Sequence, residues 1–142
     1  MAKLYKQKVY TISMGEIGFE GTIKRGLGKG AVFLSIDYYK DNIREKLGFD
    51  PYPGTLNLEV GKGQQTHLKA IIPIRIESFK KNGRVYGGAS CYKVKINGIN
   101  AAIIVPDLTE HEESMIEIIA SVNLKSKLKV EDGDKIKIEL VQ

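Results

Sequence analysis

The fold class this chain predicts is mainly β: a single-domain barrel with one or two short helices. Short β-branched runs recur along its 142 residues, separated by Gly, Asn and Asp. Asn-Gly pairs stand at 82–83 and 97–98, and a two-residue hairpin turn needs positive φ at both of its central positions. The runs are too many and too short for a parallel βαβ fold. Antiparallel hairpins closed into a barrel leave no exposed strand edge.

Taken in order, strands are expected at 18–24, 31–36, 55–60, 70–79, 89–96, 100–105, 115–120 and 135–141. Residues 1–17 form an extension to which the sequence assigns no role. A glycine-punctuated run, Gly26-Leu27-Gly28-Lys29-Gly30, joins the first two strands. Asp37 caps the one secure helix, in which Tyr39, Ile43 and Leu47 recur at four-residue spacing and Gly48 supplies a left-handed end. Asp50-Pro51-Tyr52-Pro53-Gly54 is a rigid turn, because each proline fixes its own φ and holds its predecessor extended. Tyr52 is expected to cover the helix. Thr109-Glu110-His111-Glu112 resembles a capping box, but the isoleucine-rich 115–119 that follows has strand composition. A loop or single turn leading into a strand reconciles the two. An Asp132-Gly133 turn leads to the last strand.

Composition narrows the setting. A formal charge of +5 and a pI near 9.2 suit a polyanionic partner, yet the cations are scattered among Asp and Glu. Cys91 stands alone, without zinc-site spacing, and reads as a half-buried residue of a reducing compartment. The basic start lacks a signal peptide's apolar stretch, and no run is long enough to span a bilayer, so a soluble cytoplasmic protein is expected.

Two segments offer chemistry. In Gly26–Gly30, alternating glycines permit positive φ and close approach, so successive N–H groups can converge on phosphate oxygens, with Lys29 adding charge. A plain glycine turn between strands reads the same way. Walker A spacing is absent, and a dinucleotide fingerprint fails because the second and third glycines are too close and no helix is expected directly after them. In Gly54-Thr55-Leu56-Asn57-Leu58, Thr55 and Asn57 project to one strand face, where a hydroxyl and an amide carbonyl can meet one hard cation. Both ligands are neutral, so phosphate must supply the charge that holds Mg²⁺. By itself the triplet reads first as a strand with two polar residues facing water.

Other candidates are weaker. Glu117 interrupts an isoleucine run and either faces outward between core positions or accepts hydrogen bonds from a ligand. Thr109 sits in an acidic loop with Asp107, Glu110, Glu112 and Glu113. His111 has no spaced partner, and no nucleophile elbow is present. Asn123 and Lys125 read as surface residues within reach of a nucleotide.

Taken together, Gly26 to Ala31, the helix, Gly48 to Leu58, Val105-Pro106 with Thr109, and Ile116 to Ala120 resemble the archaeal CTP-dependent riboflavin kinases. The likeness runs from about Gly21 to Leu140, and Gly48 to Leu58 is its specific part. It implies a cradle-loop β-barrel that transfers the γ-phosphate of CTP to the 5′-hydroxyl of riboflavin, giving FMN and CDP. By resemblance, Gly26, Leu27, Gly28, Lys29, Gly30 and Ala31 wrap the nucleotide phosphates. Val122, Asn123, Leu124 and Lys125 complete the nucleotide pocket. Thr55 and Asn57 bind Mg²⁺, while Thr109 and Glu117 hold the flavin. Some relatives carry an N-terminal helix-turn-helix domain; the first twenty residues here show no helix pair, and none is expected. A monomer is expected, without a nucleic-acid or membrane partner. The rival readings are a basic barrel that regulates by binding DNA or RNA, and a flavin carrier without kinase activity.

Overall fold

The computed structural model describes residues 17–26, 28–61, 63–64, 66–108 and 114–141. Strands β1 (Ile17–Lys24), β2 (Leu56–Val60), β3 (Ile74–Ile76), β6 (Ala89–Ile96), β7 (Ile99–Pro106), β8 (Met115–Ala120) and β9 (Lys135–Leu140) form one antiparallel sheet in the order β3-β6-β7-β8-β2-β1-β9. Pairing of Val94 with Leu140 and Lys95 with Glu139 joins β6 to β9 and closes six of these strands into a barrel. The remaining β4 (Phe79–Lys81) and β5 (Arg84–Tyr86) make a separate hairpin. Positive φ at Asn82, Gly83, Asn97 and Gly98 forms both expected Asn-Gly turns.

The period-two pattern sorts side chains to two sides of the wall. Leu56, Leu58, Ile103, Ile116, Ile118, Ile136 and Ile138 belong to the cluster that fills the barrel. On β7 and β8 the alternate positions Ala102, Ile104 and Ile119 are buried too, in a second cluster. What covers them is α2 (Asp37–Leu47), whose Tyr39, Ile43 and Leu47 are its buried stripe. Continuous apolar runs on β7 and β8 are thus the mark of strands buried on both faces. Gly48 ends α2 at φ 85°, as expected, while Ile36 occupies the N-cap and Asp37 is the first helical residue.

Three expectations are corrected. Residues 31–36 are not a strand: α1 (Lys29–Leu34) starts directly after Gly28. Alternating Val32, Leu34 and Ile36 mimic a strand, but Gly30 and Leu34 are the buried positions, four apart, whereas Val32 is 67% exposed. Phe33 stacks on Tyr39 at 4.0 Å, so α1 is held by packing against α2. The strand expected at 70–79 is broken. Short α3 (Thr66–Lys69) comes first, Pro73 precedes β3, and β3 and β4 pair with different partners, β6 and β5. Cys91 is fully buried rather than half-buried, and burial pushes its thiol up to about 12, against weaker opposing pulls from Arg75 and Lys46. It is an inert core residue. The last helix, α4 (Leu124–Leu128), makes four helices among the described residues, only α2 being longer than six. None is long and apolar enough to cross a membrane.

An ion pair holds the far end of β7. Arg75 donates to both Asp107 carboxylate oxygens at 2.7 and 2.8 Å and to the Ser90 hydroxyl at 3.0 Å. These hydrogen bonds hold the Asp107 carboxyl below the usual carboxylate range and push the Arg75 guanidinium up. A carboxyl whose folded-state pKa is depressed contributes stability above its unfolded value, near about 3.9, and loses it as pH falls through the folded value. The melting temperature of the wild type should therefore fall more steeply between about pH 5 and pH 2 than that of Asp107→Asn. Parallel curves would show that this exposed pair adds nothing, as is common at surfaces.

Candidate functional site

Asn57 on β2 and Thr55 just before it lie on the outward side of the barrel wall, the side opposite Leu56 and Leu58. They do not face open water. Asn57 is only 6% exposed and is the one buried polar side chain among the described residues. What covers the pair is the glycine loop. A Cβ on Gly26 would stand 2.1 Å from Asn57 Nδ2, and one on Gly30 would stand 2.6 Å from both Thr55 Oγ1 and Cγ2. Only glycine permits so close an approach of backbone to side chain. The loop is therefore more than a link between elements. Two of its glycines seat the backbone against the Thr55 hydroxyl and the Asn57 amide.

The loop turns through Gly28 at φ 79° straight into α1, so the first N–H groups of that helix follow at once and have no partner within it. Ala31 is an exposed residue of α1, Lys29 is its first residue, and Leu27 lies outside the described residues.

Sheet register brings in the third polar group. Asn57 pairs with Glu117 across β2 and β8, and Glu117 pairs with Ile104 on the other side. Glu117 lies opposite to lumen-facing Ile116 and Ile118, so its carboxylate stands on the same outer face as Asn57. Its Oε1 accepts a hydrogen bond from Thr55 Oγ1 at 3.0 Å. Thr109 and His111 lie outside the described residues.

A cleft of about 140 Å³ continues from Thr55 along Tyr52, Gly54, Val122, Asn123 and Lys125. The rigid turn fixes its near wall, since Tyr52 N–H donates to Ala120 O at 2.7 Å and Gly54 N–H to Tyr52 O at 2.8 Å. Tyr52 had been expected over the helix; its hydroxyl accepts from Asn123 Nδ2 at 3.1 Å. Asn123 is the N-cap of α4, taking the Ser126 N–H at 3.2 Å. Leu124 is 4% exposed and belongs to the barrel cluster, so it anchors the cleft wall rather than presenting a group to it. Lys125 lines the cleft with its ammonium paired to Asp132 at 2.5 Å, which holds the Asp132 carboxyl below its usual range.

Gly26, Gly30, Thr55, Asn57, Glu117 and residues 122–125 thus meet around Thr55, although the segments lie up to about a hundred positions apart. Among the described residues there is no cluster of three or more His, Cys, Asp and Glu. The donor set suits a hard, oxygen-preferring cation: a hydroxyl, an amide carbonyl and one carboxylate within a hydrogen bond of the hydroxyl. Such a set is too weakly charged to hold that cation tightly without an anionic ligand. It does fit a cation that arrives with phosphate.

Comparison with known proteins places the chain in a family. The family model CTP-dep_RFKase, described as a domain of unknown function, DUF120, matches residues 23–140. A riboflavin kinase from Pyrococcus abyssi is 42% identical over 143 residues, covering 99% of this chain and 66% of its own length. One from Methanosarcina acetivorans is 38% identical over 132 residues, covering 91% and 56%. One from Saccharolobus solfataricus is 37% identical over 134 residues, covering 91% and 77%. The chain spans only 56–60% of the length of the Methanosarcina and Archaeoglobus relatives.

Proposed function

Since this chain belongs to the CTP-dep_RFKase family, we propose that it is a riboflavin kinase, transferring the γ-phosphate of CTP to the 5′-hydroxyl of riboflavin to give FMN and CDP with Mg²⁺. The observation that carries the reading is the seating of Gly26 and Gly30 on Asn57 and Thr55. It sets a loop rich in main-chain donors against two oxygen ligands, the pairing a metal-bound triphosphate needs.

In this reading Thr55 and Asn57 hold Mg²⁺, which when bound neutralises phosphate charge. The glycine loop from Gly26 to Ala31 donates N–H groups to phosphate oxygens, with Lys29 adding positive charge. The cleft wall at Val122–Lys125 takes the nucleoside, and Thr109 and Glu117 hold the flavin so that its 5′-oxygen lies in line with the γ-phosphate. Phosphoryl transfer runs through a loose transition state, so alignment and charge neutralisation carry most of the catalysis. A rigid barrel wall with a close-fitting loop supplies alignment. The basic-barrel alternative has less support, because Lys24, Lys40, Arg44, Arg75 and Lys125 are each paired with a carboxylate.

Incubating the protein with riboflavin, Mg²⁺ and each nucleoside triphosphate in turn tests the reading. FMN should form fastest with CTP. Formation of no FMN with any donor rejects the reading, and flavin binding without turnover would leave the carrier alternative.

A further inference from the structure

We propose that Glu117 is a positioning residue for the cation site: its carboxylate takes the Thr55 hydroxyl hydrogen and so sets the oxygen of Thr55 as a metal ligand. The inference rests on the kinase reading above and adds to it, because the family resemblance implies a flavin contact for Glu117 and no part in binding the metal.

The geometry comes from two sides of one side chain. A threonine hydroxyl has one hydrogen and two lone pairs, and it rotates to suit its neighbours. Here its hydrogen is committed to Glu117 Oε1 at 3.0 Å, which leaves the lone pairs directed elsewhere. The Gly30 backbone is pressed against both γ atoms of Thr55, so the side chain has little room to turn away. A carboxylate acceptor also draws the O–H bond toward itself and raises the negative charge on Oγ1. That matters in this site, because Thr55 and Asn57 are both neutral. The arrangement has the logic of metal centres in which an outer carboxylate orients an inner ligand and strengthens it.

Sheet register holds Glu117 in this role. It lies between Asn57 and Ile104 on adjacent strands, and lumen-facing Ile116 and Ile118 on either side fix which way it points. A one-residue slip of β8 would send the carboxylate into the barrel.

The test uses Mn²⁺ as the probe, with the full chain, saturating CDP and no flavin, following the free Mn²⁺ signal by electron paramagnetic resonance against a CDP-only control. Omitting flavin removes any effect of Glu117 on riboflavin. Glu117→Ala should weaken Mn²⁺ binding by about 10–100-fold, the usual cost of losing an outer-sphere partner. Glu117→Gln keeps an acceptor oxygen without the charge and should lose less than Glu117→Ala. On a Thr55→Ala background, Glu117→Ala should add little, because its effect passes through the hydroxyl. Unchanged Mn²⁺ affinity in Glu117→Ala, or a full additive loss in the double variant, would overturn the inference and leave Glu117 to the flavin alone. If Glu117→Ala does not fold, Glu117→Gln decides: a loss of Mn²⁺ affinity in it that vanishes on the Thr55→Ala background supports the inference, and an unchanged affinity or an additive loss overturns it. Wild-type protein that binds no Mn²⁺ with CDP would instead overturn the kinase reading itself.

Discussion

Gly26→Ala should remove most of the turnover and leave the barrel folded. The added methyl would fall 2.1 Å from Asn57 Nδ2 and 2.8 Å from its Cγ, distances no contact tolerates, so either the loop lifts or the amide swings away. Overpacking of this kind costs about 1–3 kcal/mol, which a closed barrel with a continuous apolar core withstands. The activity loss should be far larger, because a shift of about 1 Å in a positioning group costs about 100-fold in rate. Gly30→Ala should act in the same way on Thr55. Gly87→Ala is the control: its Cβ meets nothing within 4 Å and its φ is not positive, so it should change stability by less than about 0.5 kcal/mol and leave the rate alone. Steady-state rates with riboflavin and CTP, beside melting curves for all three variants, separate the two effects. A Gly26→Ala protein with wild-type kcat would mean that the loop and Asn57 need not touch during the reaction.

What the sequence made legible follows from which forces are local. The strand periodicity at 18–24, 55–60, 89–96, 100–105, 115–120 and 135–141, the Tyr39-Ile43-Leu47 stripe and the two Asn-Gly turns depend on neighbours within a few residues, and those elements stand within a residue or so of where they are expected. The α1 helix escaped because Val32 and Ile36 look β-branched, while the informative spacing was Gly30 to Leu34 and depended on knowing that Gly30 is buried. Its burial comes from Thr55, twenty-five positions away. Site geometry is less local still. The Thr55–Glu117 hydrogen bond spans sixty-two positions and exists only because β2 pairs with β8 in one register. Nothing near either residue encodes that register; closure of the whole barrel does. The interruption of an isoleucine run marks Glu117 in the sequence, but nothing there marks Thr55 as its partner. The burial of Asn57 had a faint trace in sequence. Glycines at both 26 and 30 are costly in chain entropy, and a loop that needs only to turn has use for one.

Asn57→Ala is expected to have the other large effect. The amide is nearly buried beneath Gly26, so its loss has two consequences that can be measured apart. Stability should fall by about 1–3 kcal/mol, because a hydrogen-bonding group goes and a small void remains under the loop. Turnover at limiting Mg²⁺ should fall by about 100-fold or more, since the proposed site loses one of its two neutral cation ligands and preorganised electrostatic groups carry costs of that order. Raising Mg²⁺ should recover part of the rate, because a weakened site fills by mass action, whereas a general loss of packing would not respond to the ion. Asn57→Asp sharpens the comparison: it keeps the size and one oxygen but places a second carboxylate beside Glu117, its ladder partner. Like charges so close repel unless a cation lies between them, so Asn57→Asp should melt lower than wild type in chelator and regain much of the difference in Mg²⁺. An Asn57→Ala protein with normal activity at limiting Mg²⁺, or an Asn57→Asp protein whose melting ignores the ion, would remove Asn57 from the metal site.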